Sequence, residues 1–398
     1  MNRIVVLLIV AALAGCRGEQ PPRKSDGPPP AAAPGDAAKN GNLPPPATPE
    51  ETEKAWKRGV AYLVASQNKD GTWGSIDASR PYQIYLGTLS SLRAFQDASA
   101  ALCVAALLQA SRRDPSATAA LDRGLDHILK SEPLARANGD ALYDNWTHLF
   151  LLHAMALVAR DPRYQSRRAD VERIALREAR ILETQQSADG GWGYYDFGYT
   201  LIHPAGKETT SFMTGAALVA LDEAKKSGIE IEQRLVRDGL RSLARLRQGD
   251  GSYIYGNYAL MWPTIGFNEV KGSLGRSQPC NLALFRNGKV VTKTELRVSL
   301  ENLFRHHEYI EMGRGRPYPH ESWYYTAGYY YLFGHFYASL VLDELDDADR
   351  AKWKPILASI LAKGQGEDGS WFDYPLYGYY KAYGTAFAVL TLERCLPR

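Results

Sequence analysis

Acid, imidazole and phenol side chains gather where the apolar helical runs of this chain begin. In order they are Gln96 and Asp97; Asp144, Asn145, Trp146 and His148; Glu208 and Thr209; Arg276 and Cys280; His320, Glu321, Trp323 and Tyr325; and Tyr380, Lys381 and Tyr383. Carboxylates beside His and Tyr can pass protons, so Asp97, Asp144, His148, Glu208, His320 and Glu321 are the candidate catalytic groups. Trp146, Trp323, Tyr325, Tyr380 and Tyr383 would offer aromatic faces to a ligand, and Arg276 a fixed cation. Held over an aromatic cup, such a set suits acid/base work on a sugar or a polyprenyl chain. The competing expectation is structural: acids at helix starts cap the helix and complement its dipole whether or not they do chemistry. The aromatic stripe Tyr324–Tyr337 likewise reads first as core packing.

The runs that carry these residues alternate with amphipathic ones. Amphipathic helices are predicted near 49–67, 116–131, 165–186, 231–247, 292–310 and 347–364, and apolar ones near 94–112, 144–160, 207–226, 277–287, 322–344 and 379–396. The second set is rich in Ala, Gly, Leu and aromatics on every face, as in the run from Phe212 to Leu221. A helix apolar all round must be buried all round. Six polar-outside helices around six apolar ones predict an all-α (α/α)6 toroid of six helical hairpins. The segment 249–266 is the one place where a β-hairpin competes.

A recurring phrase marks the joints between hairpins. It reads Gln67-Asn-Lys-Asp70-Gly71-Thr-Trp73, then Gln186-Ser-Ala-Asp189-Gly190-Gly-Trp192, then Gln365-Gly-Glu-Asp368-Gly369-Ser-Trp371. A worn copy carries Arg247 and Tyr253 around Asp250-Gly251. Asp-Gly supplies a tight turn with Gly free to take positive φ, Gln serves orphan helix-end groups, and Trp brings a large apolar face. Repetition of this kind signals a repeat architecture.

Lys57-Arg58-Gly59, Tyr62-Leu63, Gln67, Gly71 and Trp73 together resemble the QW repeat of squalene and oxidosqualene cyclases, and protein prenyltransferase β subunits carry a related repeat on the same toroid. The chain is most similar to bacterial envelope lipoproteins that carry these repeats. The resemblance implies a terpenoid cyclase-like toroid, but the catalytic motifs do not come with it. Triterpene cyclases use an Asp from a D-x-D-D motif, and the nearest string here, Asp346-Asp347-Ala-Asp349, lies between an inner helix and the next outer one, where it reads as capping. Prenyltransferases bind zinc through Asp-x-Cys and a distant His, and Gln278 stands two positions before Cys280. Cys280 and His335 could meet across the ring, yet no metal site and no cofactor are expected. Two classes therefore stay open. One is a binding protein holding an isoprenoid, glycan or peptide in the central cavity; the other is a toroid enzyme acting on polysaccharide or terpene.

The ends and the charge set the compartment. Arg3, the apolar stretch Ile4 to Leu13 and Leu13-Ala14-Gly15-Cys16 resemble a lipoprotein signal, with Cys16 the lipidated residue of a lipobox. Arg17 beside it implies, by the same resemblance, the outer membrane facing the periplasm. From 17 to 47 the chain is Pro, Gly, Ala and charge, including Pro28-Pro29-Pro30 and Pro44-Pro45-Pro46, and reads as a disordered tether. Thr48-Pro49-Glu50-Glu51 then reads as a helix start, so 48–398 is the toroid domain. A net charge of +3 over 398 residues argues against a nucleic-acid partner. The Arg-rich stretch Arg167–Arg180 is interleaved with acids and reads as a solvated helix face. Cys103 and Cys395 read as small core residues, and the apolar run Leu149–Ala159 is too short to span a membrane. Lipidation is directly testable: Cys16→Ser should stop palmitate labelling and leave unprocessed or mislocalised protein. Continued labelling of the mutant would disprove a lipid anchor at this residue.

Overall fold

In the computed structural model the described residues are 43–76, 89–134, 142–194, 209–375 and 377–397. Thr48 begins the fold as expected: its hydroxyl accepts from the Glu51 amide while the Glu51 carboxylate accepts from the Thr48 amide, a reciprocal cap with Pro49 at the first helical position. The outer helices are α1 (Pro49–Ala65), α3 (Thr118–Lys130), α5 (Arg168–Thr184), α7 (Gln233–Leu246), α9 (Lys293–Arg305) and α12 (Asp347–Lys363). The inner ones are α2 (Leu89–Ala110), α4 (Asn145–Ala159), α6 (Ser211–Lys226), α8 (Val270–Ala283), α11 (Tyr330–Glu344) and α13 (Tyr380–Cys395), with a short α10 (His307–Glu311) after α9. Each inner helix packs on the next, and α13 packs back on α2, so the ring closes. Among the described residues there is no β-strand.

Three expectations are corrected in detail. The fourth inner helix starts at Val270 rather than near 277 and carries Pro279 inside it. It packs without side-chain spacers: a Cβ on Gly275 would sit 2.5 Å from Tyr330 O, and one on Gly215 2.8 Å from Cys280 N. The fifth begins at Tyr330 rather than 322, because Tyr324 and Tyr325 hold φ of 58° and 53° and break the helical path. Segment 249–266 is not a hairpin. Arg247 bridges to Tyr253 and Thr210 to Gly256, and single turns follow at Asn257–Ala259 and Gly266–Asn268. Helix α2 is apolar and long enough at 22 residues to cross a membrane, but 83% of that apolar window is buried as ring core.

The joints work by a shared geometry. The indole N–H of Trp73, Trp192 and Trp371 donates to the carbonyl ten residues earlier, at Leu63, Leu182 and Leu361, at 2.7 Å each. Each ring lies on a glycine of the next outer helix: a Cβ on Gly124, Gly239 or Gly59 would come within 2.9 Å of it. The Gln amide donates to its own turn and then across to that helix: Gln67 to Ala120 O at 2.8 Å, Gln186 to Leu235 O at 2.9 Å, Gln365 to Ala55 O at 2.9 Å. The last of these joins the end of the ring to its beginning. At the worn joint Arg247 reaches Glu295 on α9 at 2.7 Å in place of the amide. The Arg-rich stretch Arg167–Arg180 is used rather than merely solvated, since Arg167, just ahead of α5, pairs with Asp126 at 2.5 Å and Arg173 donates to Leu129 O at 2.9 Å.

At their C-terminal ends the inner helices are linked by a closed circle of ion pairs. Arg112–Asp161 (3.1 Å), Arg160–Glu223 (2.6 Å), Glu223–Arg286 (2.9 Å), Arg286–Glu344 (2.7 Å), Asp343–Arg394 (3.2 Å) and Glu393–Arg113 (2.8 Å) visit all six. Cations here also complement the helix dipoles. Because every joint couples neighbours, damage to one should be felt by all. Trp192 is fully buried, and Trp192→Ala should cost roughly 3–5 kcal/mol and lower a single thermal midpoint. A separate low-temperature transition, or no change, would show that the joints do not couple the hairpins.

Candidate functional site

The ring has an aromatic floor. Trp146 on α4 meets Phe333 on α11, the helix opposite, at 5.7 Å, and Phe150 meets Phe387 at 5.7 Å. Phe212 meets Tyr330 at 5.1 Å, so contacts cross the centre at more than one level. Above this floor, towards the N-terminal ends of the inner helices, the rings of Tyr379, Phe95, Tyr143 and Tyr194 follow one another at 5.8, 4.9 and 5.3 Å. The collar continues through hydroxyls, with Tyr194 and Tyr255 at 2.5 Å and Tyr330 donating to Tyr255 at 2.9 Å. Trp146, Tyr194, Tyr329 and Tyr383 stay partly exposed, and the space bounded by these aromatic walls is called the basin.

Among the described residues, polar groups reach this basin at three points. Arg276 is buried beneath Tyr255, its guanidinium 4.8 Å from the ring centre, and donates to Phe267 O and to Gly272 O at 3.4 Å. No ion pair to it forms among the described residues; the aromatic faces of Tyr255, Tyr330 and Phe212 surround the charge instead. His320 stands at the rim: its Nδ1 lies 2.7 Å from Tyr325 O and must donate there, so Nε2 accepts from the Tyr329 hydroxyl at 3.1 Å. Burial lowers its pKa and keeps it neutral. The third group is Asp373, fully buried, whose carboxylate accepts from the Tyr383 hydroxyl and the Leu332 amide at 2.9 Å each. Burial raises its pKa to about 6, against those two hydrogen bonds, so it titrates near neutrality beside the basin wall.

The other candidates lie elsewhere. Asp97 faces outward to His127 on α3 at 3.4 Å. Asp144 occupies the N-cap position of α4 without capping it; its carboxylate instead accepts from His148 Nε2 at 3.0 Å, while His148 Nδ1 donates to Glu178 on α5 at 2.6 Å. This pair is therefore a seam between inner and outer helix, not a group facing the centre. Glu321 is exposed and lies 4.0 Å from Arg316, and Trp323 and Tyr325 are 72% and 39% exposed on a single turn ahead of α11. Expecting these three at an inner-helix mouth placed the helix start eight residues too early. Tyr380 leans edge-on against Phe372 at 5.4 Å, and Lys381 pairs with Asp368 at 2.6 Å. Glu208 and Cys16 lie outside the described residues. His335 turns to His307, Nε2 to Nε2 at 3.1 Å, while the Cys280 thiol donates to Arg276 O. Among the described residues no group of His, Cys, Asp or Glu is arranged to hold a metal ion.

Tyr194, Tyr255 and Asp373 did not stand out in the sequence, although one signal marks them. Each follows a joint aromatic, Trp192, Tyr253 or Trp371, by two residues. The turn that seats the Trp on the outer wall sends the chain back towards the centre two residues on.

An all-α ring of six hairpins with a basin at the inner-helix N-termini defines an α/α toroid of the terpenoid-cyclase kind. Residues 47–265 match the squalene-hopene cyclase C-terminal domain, and the chain belongs to that family. A squalene–hopene cyclase of Zymomonas mobilis is 26% identical over 224 residues, which is 51% of this chain and 30% of that protein. The chain thus matches less than a third of that relative's length. Among solved structures, the type II terpene cyclase MstE from Scytonema with geranylgeranyl dihydroxybenzoate aligns with a TM-score of 0.51 at 14% identity, covering 88% of this chain and 98% of that one. An α-1,6-mannanase of Salegentibacter with α-1,6-mannotriose aligns at 0.50 and 12% identity, covering 87% and 98%. At these identities the likeness shows the fold alone.

The His148 seam makes stability depend on pH. Burial alone would strip the proton, but the hydrogen bonds to Asp144 and Glu178 outweigh it and raise the pKa from 6.5 to about 10. A folded-state pKa above the unfolded one stabilises fully below about 6.5 and is lost as pH rises towards about 10. Unfolding midpoints in denaturant should therefore fall between those limits in the wild type and fall less in His148→Gln. Parallel pH profiles would refute a charged His148.

Proposed function

We propose that this protein is a ligand-binding toroid of the bacterial cell envelope, held at the outer membrane by lipid on Cys16 and facing the periplasm. In this reading residues 1–16 are its signal peptide and 17–47 its tether, whose end is docked rather than disordered: Leu43 and Ala47 pack against the ring and the Ala47 amide donates to Pro355 O at 2.9 Å. The basin takes an apolar ligand, an isoprenoid end before a glycan or peptide, and performs neither cyclase nor prenyltransferase chemistry. The observation that supports this is the aromatic floor. Trp146 against Phe333 and Phe150 against Phe387 occupy the centre of the ring, where folding a long polyene would need open volume. The acid chemistry agrees. Protonating an alkene demands an acid far stronger than an ordinary carboxyl, whereas Asp373 is held weaker than ordinary, at about 6.

A second reading, an enzyme acting on glycans, is favoured by that same Asp373, since a carboxyl titrating near neutrality can serve as a general acid. Glycoside hydrolysis usually requires a partner carboxylate about 5–10 Å away, and the described residues bring none of the candidate acids to it. The test combines capture and turnover. Native mass spectrometry of the full-length protein from its own envelope should show a copurifying apolar ligand that is lost in Trp146→Ala. Incubation with squalene and oxidosqualene should give no cyclic product. Cyclic products abolished by Asp373→Asn would overturn the proposal and make the protein a cyclase.

A further inference from the structure

The worn joint has opened into a cleft of its own. In the three intact joints the turn glycine presses on the next outer helix: a Cβ on Gly71, Gly190 or Gly369 would sit 2.4, 2.5 or 2.7 Å from the carbonyl of Arg123, Asp238 or Arg58. At the fourth, nothing lies within 4 Å of a Cβ on Gly251 or Gly249. The packing pair has changed with it. Trp on Gly has become Tyr253 with Ser299 at the equivalent place on α9, and the crossing amide has become the Arg247–Glu295 ion pair. Between the turn, α8 and α9 lies a cavity of about 180 Å³.

Its lining is polar where inner and outer helices normally meet through apolar side chains. Ser273, Ser277 and Asn281 recur every fourth residue along α8, all buried, and face Ser299 and Asn302 on α9. Ser252 and Asp250 close the mouth, while Leu274 and Val298 add small apolar faces. Arg247 lines the cleft with its Nε buried and unpartnered. A buried donor without an acceptor is costly, so Arg247 Nε is short of an acceptor, while on the walls Asn281 donates to Ser299 at 2.8 Å and Ser277 to Ser273 at 3.2 Å. The charges restrict what an occupant can be. Arg247 is matched by Glu295, which leaves the Asp250 carboxylate in excess and disfavours an anion. Hydroxyl and amide groups beside small apolar faces instead match a neutral ligand with several hydroxyls on a carbon ring. At about 180 Å³ the space is below the roughly 300 Å³ at which drug-sized pockets begin, and holds one ring rather than a chain.

We infer that the cleft between the fourth joint, α8 and α9 is a second binding site, for a single neutral sugar or cyclitol ring. It is independent of the basin. The test titrates full-length protein with free hexoses, N-acetylhexosamines and inositol, read by saturation-transfer NMR. At least one should bind saturably, and Ser277→Leu, which fills the cleft with a side chain of the kind usual at such interfaces, should weaken it at least tenfold. Asn302→Ala, on the opposite wall, should weaken it several-fold and decides the matter if Ser277→Leu does not fold. Trp146→Ala, in the basin, should leave it unchanged. No saturable binding by any of these compounds, binding that survives the cleft variants, or binding lost only in Trp146→Ala would each overturn the inference.

Discussion

Closure of the ring is the constraint on which everything else rests. The Gln365 amide donates to Ala55 O, joining residues 310 apart in sequence, and the same seam seats Trp371 on Gly59 and packs α13 on α2. A chain of hairpins left open would expose two apolar flanks. Closed, it buries the inner helices on every side. That burial explains their composition: Gly275 and Gly215 allow backbone contact, and hydroxyls that must sit inside bond back to their own helix, as Ser99 does to Phe95 O and Thr391 to Phe387 O.

The two ends of the ring are finished in opposite ways. Where the inner helices end, arginines and carboxylates alternate in a full circle and satisfy the negative ends of the dipoles. Where they begin, aromatic rings form the collar and, among the described residues, the polar groups are few and spaced. Anything that binds in the basin therefore meets flat apolar walls first and hydrogen-bonding groups at isolated points, namely Arg276, His320 and the Asp373–Tyr383 pair. This contrast divides the ring into a polar face that ties the helix ends together and an aromatic face at the helix starts.

How far the site could be read from sequence depends on what placed each residue. Trp146 and Tyr383 lie on the faces of regular inner helices, and their approach to the centre follows from the helical pattern. Asp144 and His148 lie on the same kind of helix, but a side chain at a helix start can turn inward or outward, and Glu178 on the neighbouring helix turned them outward. Trp323 and Tyr325 misled because the aromatic run resumes at Tyr329 after only Thr326-Ala327-Gly328, while the backbone at Tyr324 and Tyr325 takes positive φ. Asp373 and Tyr255 owe their places to joints whose geometry is defined by the contacts of Trp371 and Tyr253, two residues before them.

The sequence by itself determined the class of fold, the alternation of outer and inner helices and the location of the joints, because periodicity and turn chemistry act over a few residues. Tertiary structure alone decided which polar groups face the centre, that aromatic rings from opposite helices fill it, and that one joint of the four stands open. Those outcomes depend on contacts between residues far apart in the chain, such as Trp146 with Phe333 and Arg247 with Glu295. No local pattern carries the position of a partner that only the closed ring brings near.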